Sequence, residues 1–314
     1  MMKRILIFML CICMMMSLSA CGHPQSAAKK DTIKIGYLPI THAAPLYSAK
    51  ELNGANIELV KFGSWIDLVD ALNSGRIDGA SILIELAMKA REKGIDVKAV
   101  ALGHKDGNAI ISAPEIDQVS DLKGKTIAIP HTLSSHNILL HKMLKENHLT
   151  EKDVNIVEMT PPEMPSALAA KEIASYVVAE PFGALGVTLD KGKVLYQSEE
   201  LWPHSLCCAL VLRSDFIEHN AEHAQQFVTH YLKAGQHIET HEDDAKTFHQ
   251  TYLNIDDETL DLSLNWIAYD ALRIEKSDYQ ELTNSLIEME LSDNPPAYET
   301  FVDSSFIDQA EVNE

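Results

Sequence analysis

Two periodicities alternate along this chain, and they limit its fold more than any other feature of the sequence. Short runs place apolar residues at every second position. The runs between them place apolar residues every third or fourth. Residues 33–37, Ile33-Lys34-Ile35-Gly36-Tyr37, have the strand period and break at Pro39. Residues 43–52 have the helical period, 57–62 the strand period, and 65–72 the helical period up to a stop at Asn73-Ser74-Gly75. A strand at 79–84, a helix over 84–93 ending at Gly94, and strands at 97–102 and 109–112 continue the series. Repeated strand–helix units predict an α/β fold with a largely parallel sheet.

The series then starts again. Residues 126–129 read as a strand, a loop at 130–135 leads into a helix over 136–146, and a strand at 154–159 precedes a short helix over 161–171. Strands follow at 175–179 and 193–196, and 209–213 has the character of a return strand. From there to about residue 290 the pattern is helical. Two α/β series joined by an outward and a return crossing predict two lobes around a hinged cleft. Lobe 1 takes residues 31–110 and 209–314, and lobe 2 takes 111–208. The acidic tail 291–314 has no Lys or Arg and is expected to pack loosely, with Phe301 and Phe306 as the residues able to dock. Ligands of open α/β sheets bind beyond the carboxyl ends of the strands, so the loops after each strand are the expected place for a site.

The first residues differ in character. Lys3 and Arg4 precede an apolar run from Ile5 to Met16, shorter than the ~20 apolar residues that span a bilayer. That is the size of a signal-peptide core. Leu18-Ser19-Ala20-Cys21 follows, the pattern of a lipobox whose Cys21 thiol takes the lipid. A short membrane anchor, or an ordinary signal with a chance Cys, is the plainer alternative. Residues 1–21 are thus expected to be a lipoprotein signal peptide, and the small polar residues 22–30 a flexible tether. The formal charge of −20 argues against nucleic acid as a partner and against attraction to an anionic membrane. Lipid rather than charge would then hold the protein at the extracytoplasmic face of a cell membrane, with a Gram-positive surface preferred. Of five Cys, Cys207 and Cys208 lie beyond the lipobox, adjacent in an apolar stretch. They are expected on opposite faces of a buried strand, with a vicinal disulfide or a metal role as alternatives.

Four strand–helix junctions carry capping signals. Thr41 is a candidate N-cap for the first helix, Ser64 with Asp67 forms a capping-box pattern, and Thr132 to His136 opens the long helix of the second series. Thr160-Pro161-Pro162-Glu163 combines a cap, first-turn prolines and Glu at the third position. Every helix needs a cap, so each signal has a purely structural reading. Where such ends line a cleft, their free N–H groups favour an anion by about 0.3–1 kcal/mol each. No G-x-S-x-G elbow, P-loop or H-E-x-x-H is present, and the chain is not expected to be an enzyme.

At these residues the chain resembles a family. Lys34 to Leu46, Phe62-Gly63-Ser64-Trp65, Arg76 to Ala80, Pro161 to Met164 and Ala179-Glu180-Pro181-Phe182 resemble the nitrate/sulfonate/bicarbonate/taurine class of ABC solute-binding proteins. The resemblance runs from about Thr32 to Arg213. It implies a two-lobed type II periplasmic-binding-protein fold and delivery of a small solute to a permease and an ATPase on separate chains, by a monomer. Carried over position by position, it implies a cleft built from Thr41, His42, Ser64, Trp65, Ile84, Glu85, Ser134, Ser135, His136 and Glu180. Trp65 would be an apolar wall, or equally a core aromatic. The Lys that nitrate and bicarbonate members tend to carry is absent from Leu201-Trp202-Pro203-His204. Glu85 falls where anion-binding relatives tend to be neutral, so either Glu85 points away or the ligand carries a cation, as the ammonium of taurine does; the ligand expected is a small organic anion such as an aliphatic sulfonate or taurine.

Fourteen His open a second class of function. His42, His136 and His204 fall on expected cleft loops beside Glu85 and Glu180, and imidazole with carboxylate suits Zn²⁺. His237 and His241, at i and i+4, are a second candidate pair. No cofactor is required by the first reading; a zinc-binding importer component is the alternative. A binder of pyrimidine thiamine precursors ranks lower, because aromatics are only 6% of the chain and ring stacking needs more. A purely structural surface lipoprotein remains the plain option.

Overall fold

The computed structural model describes residues 32–312. The expected signal peptide, Cys21 and the tether lie outside the described residues. The strands are β1 (Ile33–Tyr37), β2 (Ile57–Lys61), β3 (Gly79–Leu83), β4 (Val97–Leu102), β5 (Lys105–Asp106) and β6 (Asn108–Ser112). They continue as β7 (Thr126–Ile129), β8 (Asn155–Glu158), β9 (Ser175–Ala179), β10 (Lys193–Gln197), β11 (Cys208–Arg213) and β12 (Ile267–Ala268). Ten of these form two five-stranded sheets, in the orders β2-β1-β3-β11-β4 and β10-β6-β9-β7-β8. In the first sheet β11 runs antiparallel to both neighbours, while β1 pairs parallel with β2 and β3. In the second, β6 is the strand antiparallel to both neighbours. Each sheet therefore contains one reversed strand, entered just after the chain has crossed from the other sheet.

Burial follows position in the sheet. β3 and β9 are buried at every residue, as central strands covered by helices on both faces must be, whereas β1 exposes Lys34. The outward crossing occupies residues 103–107 and the return 198–207. The whole of β6 belongs to the second sheet, so the change of sheet comes a few residues before the 110/111 boundary expected from sequence. The return crossing is tied back by Ile84 N–H donating to Cys207 O (2.8 Å) and Gly103 N–H donating to Cys208 O (2.7 Å). β12 pairs antiparallel with β5, so the helical C-terminal region clasps the outward crossing.

The tail departs from expectation. It forms helices Tyr298–Phe301 and Ser305–Val312, and Phe301, Phe306 and Ile307 are buried. Val302 bridges to Ala99, and Asp303 N–H donates to Ala99 O at 2.9 Å, so the tail packs on β4. The acidic side chains Asp293, Glu299 and Asp308 are exposed while Phe301 and Phe306 turn inward, and a count of acidic residues hides that. No described helix is long and apolar enough to cross a membrane.

Candidate functional site

The carboxyl ends of the parallel strands and the amino ends of the two reversed strands converge at one level. After β1, a 3-10 turn Thr41–Ala43 carries His42. After β3 the chain enters helix Ile84–Glu92 directly, placing Glu85 in its first turn. The outward crossing carries His104, and Asn108 begins β6. After β7, Ser134 caps helix Ser135–Glu146, whose first residues are Ser135 and His136. Cys207 and Cys208 sit where the return crossing meets β11.

His42, Glu85, His104, Asn108, Ser135, His136, Cys207 and Cys208 are all buried. The Cys207 Sγ is 3.7 Å from His42 Nδ1, 3.7 Å from Asn108 Oδ1 and 3.9 Å from Cys208 Sγ. The rings of His42 and His104 lie face to face, with centroids 3.5 Å apart and 32° between planes. The tautomers follow from the partners. His42 Nε2 lies 2.8 Å from Gly107 O and His104 Nδ1 lies 2.7 Å from Asp106 O. A carbonyl only accepts, so these nitrogens carry the protons. The opposite nitrogens, Nδ1 of His42 and Nε2 of His104, are left as acceptors on the side of the thiols. Close approach here requires Gly103, where a Cβ would stand 2.6 Å from His42 O, and Gly107, which adopts φ +72°.

Beside this cluster stands a second set of groups. Both Glu85 oxygens, both His136 ring nitrogens and the Ser135 hydroxyl are buried and complete no hydrogen bond among the described residues. Burial holds the Glu85 carboxyl well above the carboxylate range, reinforced by Cys207 and only partly offset by the nearby backbone N–H groups of Glu85 and Ser135, neither of which completes a hydrogen bond to it. Burial lowers His136 to about 4, so its ring is neutral. Burial and then His42 lower His104 as well. Burial opposes ionising Cys207, but the Cys208 hydrogen bond and the imidazoles outweigh it and bring that thiol well below its ordinary value; Cys208 is pushed well above. Among the described residues no Lys or Arg is buried, so no permanent cation faces this site.

Other sequence-predicted residues have different roles. Thr41 is not an N-cap: its N–H and hydroxyl both donate to Glu180 O, at 3.0 and 2.9 Å, which ties the ends of β1 and β9 together. The Glu180 carboxyl group turns to helix Phe182–Thr188, its Oε2 accepting from Ala184 N–H at 3.1 Å. Ser134 is occupied by its cap and by donation to His131 O. Ser64 caps helix Trp65–Asn73 with Asp67 and is not buried, while Trp65 belongs to the hydrophobic core. His204 is exposed in a left-handed turn (φ +60°) and lies outside the His/Cys group. His237 hydrogen-bonds Asp244 at 2.7 Å and stacks on His241 at 3.9 Å, so this pair is a hydrogen-bonded helix end near the surface. Cys207 and Cys208 do not take opposite faces of a strand: Cys207 precedes β11, and both thiols are free and close together. His104 escaped the sequence reading. Its signal was the crossover Gly103-His104-Lys105-Asp106-Gly107, a histidine held between two glycines where the chain changes sheets.

At the rim, Leu38, Pro39, Phe62, Gly63, Pro161 and Phe182 are among the residues from both sheets that border an apolar cavity of about 150 Å³.

The sequence model of the NMT1-like family matches residues 26–251. The taurine-binding periplasmic protein of Escherichia coli is 31% identical over 193 residues, covering 60% of this chain and 59% of that protein. The nitrate import ATP-binding protein NrtC of Synechocystis is 27% identical over 201 residues, 55% of this chain and 30% of that protein. The chain thus spans about a third to three fifths of the length of these curated relatives. Among solved structures, the ligand-binding component of an ABC-type import system from Staphylococcus aureus with zinc bound is 41% identical. Its TM-score is 0.85, and the match covers 89% of this chain and 99% of that one. The nitrate-binding protein NrtA of Synechocystis shares the fold at 19% identity and TM-score 0.81, over 90% of this chain and 89% of that one.

Proposed function

The chain belongs to the NMT1-like family, and from that premise we propose that it is the solute-binding component of an ABC importer. It captures a small amino sulfonate of the taurine type between its two lobes. The observation that carries this reading is the group of buried, unpartnered polar atoms on Glu85, Ser135 and His136, at the first turns of two helices that follow strands of different sheets. Buried polar groups in native proteins are paired, so a ligand that satisfies them is favoured by the penalty of leaving them bare. The amino end of helix Ser135–Glu146 suits an anionic head group. Glu85 suits an ammonium, whose charge would favour the carboxylate form that burial alone disfavours. The taurine-binding relative supports the same class.

In this reading a lipid on Cys21 holds the protein at the extracytoplasmic face of the membrane, where it hands its solute to a permease served by an ATPase. Loss of fatty-acid labelling in Cys21→Ala is the expected result; unchanged labelling would remove the anchor.

Zinc as the transported solute is the second reading, favoured by the His/Cys cluster and by the zinc-bound Staphylococcus relative. A thermal-shift screen with taurine, alkanesulfonates, nitrate, bicarbonate and Zn²⁺ separates the two. Taurine at ~100 times its dissociation constant should stabilise by about 2.7 kcal/mol in the presence of EDTA. No shift with any sulfonate, together with a Zn²⁺ shift that EDTA reverses at once, would overturn the first reading in favour of the second.

A further inference from the structure

Three stretches of backbone remote in sequence meet beside the proposed solute groups: the turn Thr41–Ala43, the outward crossing and the end of the return crossing. Each contributes donors to one group. The ligating atoms of His42, His104, Cys207 and Cys208 all lie within 4.8 Å of one another, and all four residues are buried. We propose that these four side chains form a tetrahedral centre for a divalent transition metal of the Zn²⁺ class. The ion is retained as part of the protein and is not its cargo. The proposal stands whichever organic solute the cleft takes.

Two edges of the group, both at Cys207, are close to those the ion requires. Tetrahedral Zn²⁺ with bonds of about 2.3 Å to sulfur and about 2.0 Å to nitrogen sets neighbouring ligands about 3.8 Å apart for two sulfurs and about 3.5 Å for sulfur and nitrogen. The thiols are 3.9 Å apart, and Cys207 Sγ is 3.7 Å from His42 Nδ1. Binding needs a contraction of only a few tenths of an ångström along these edges. The imidazoles are also prepared. Each donates its distal N–H to a backbone carbonyl, Gly107 O or Asp106 O, which fixes the tautomer; His42 Nδ1 then faces the Cys207 thiol, and His104 Nε2 accepts a long bond from Cys208 N–H (3.4 Å) that a metal would replace.

Charge and position argue for retention. As the ion binds, two S–H bonds break, two S–metal bonds form and two protons leave to water. Two thiolates and one divalent ion sum to zero, which suits a buried site without a buried Lys or Arg. Four protein ligands leave no open coordination position, the arrangement of structural rather than catalytic zinc. The ligands also join both crossings, so the ion would staple the two stretches of chain that link the sheets.

The test is metal content and cobalt spectroscopy of the purified protein. The expected result is about one ion per chain after growth with zinc, retained through EDTA dialysis of the native protein. The Co²⁺ form should show tetrahedral d–d bands and thiolate charge-transfer absorption. Both spectral features should vanish in Cys207→Ser and Cys208→Ser, weaken in His104→Ala, and persist in His136→Ala. If a Cys variant does not fold, titrating the unmutated holoprotein with a mercurial should release its ion as the thiols are consumed. Metal content unaffected by the Cys substitutions, a cobalt spectrum without thiolate bands, or an ion stripped by EDTA on mixing would each overturn the proposal; the last would make the metal an exchangeable cargo. Taurine affinity is a separate measurement, so failure here leaves the solute reading to its own test.

Discussion

Glu180 works with both of its ends. Its carbonyl receives two bonds from Thr41, while its carboxyl, buried and with Oε1 unpartnered, is pushed by burial up to about 8, partly offset by the Ala184 N–H. His249, buried in helix Glu242–Tyr252, is lowered by burial to about 4, against the opposing pull of Ala245 O. The two act oppositely on stability. Folded Glu180 keeps a proton that the unfolded chain loses near 4.5, so its stabilisation is full below that pH and falls as pH rises to about 8. Folded His249 stays neutral where the unfolded chain protonates below 6.5, so its stabilisation is lost as pH falls from 6.5 to about 4. The difference in unfolding free energy between wild type and Glu180→Gln should therefore fall as pH rises from 5 to 8, by at most about 1.4 kcal/mol per unit. A pH-independent difference would show that Glu180 is ionised in the fold. Trp65 is a simpler case. Because it is a core residue 4% exposed, Trp65→Ala should cost about 3–5 kcal/mol of stability and leave solute affinity within a few-fold. A large affinity loss at unchanged stability would return Trp65 to the cleft wall.

Local elements were legible where a local signal decides them. Ser64 and Thr160 make the caps that their spacing announces, and the strand β11 closes the return as its apolar run suggests. Thr41 misleads because the turn it opens is 3-10 and its hydroxyl finds a carbonyl 139 residues away in sequence, a bond no local pattern encodes. The His/Cys group was hidden for the same reason: residues 42, 104 and 207–208 have no common spacing, and only the crossings bring them together. The tail failed by a different route, since six acidic residues outweighed the aromatic pair in the reading. Phe301 is wholly buried, so Phe301→Ala should destabilise the protein by about 3–5 kcal/mol in denaturant unfolding. A loss below about 0.5 kcal/mol, the range of surface substitutions, would show that the tail is dispensable.

For the molecule as a whole, the alternating periods predicted two α/β series, and the two sheets with one reversed strand each are what those series build. The sequence placed Glu85, Ser135 and His136 at strand ends through family resemblance; the structure adds that their polar side-chain atoms are buried without partners among the described residues. Solute identity was not legible, because it depends on how those atoms face one another across two lobes. The central claim is that Glu85 receives the ammonium of a zwitterionic sulfonate held at the amino end of helix Ser135–Glu146. Calorimetric titration of wild type and Glu85→Gln with taurine and with ethanesulfonate, which lacks the ammonium, tests it most directly. The account predicts that wild type prefers taurine and that Glu85→Gln weakens taurine about tenfold to a hundredfold, the worth of a charge-assisted hydrogen bond, while ethanesulfonate binding holds or improves. Equal binding of taurine by the two proteins, or no binding by either, would contradict it.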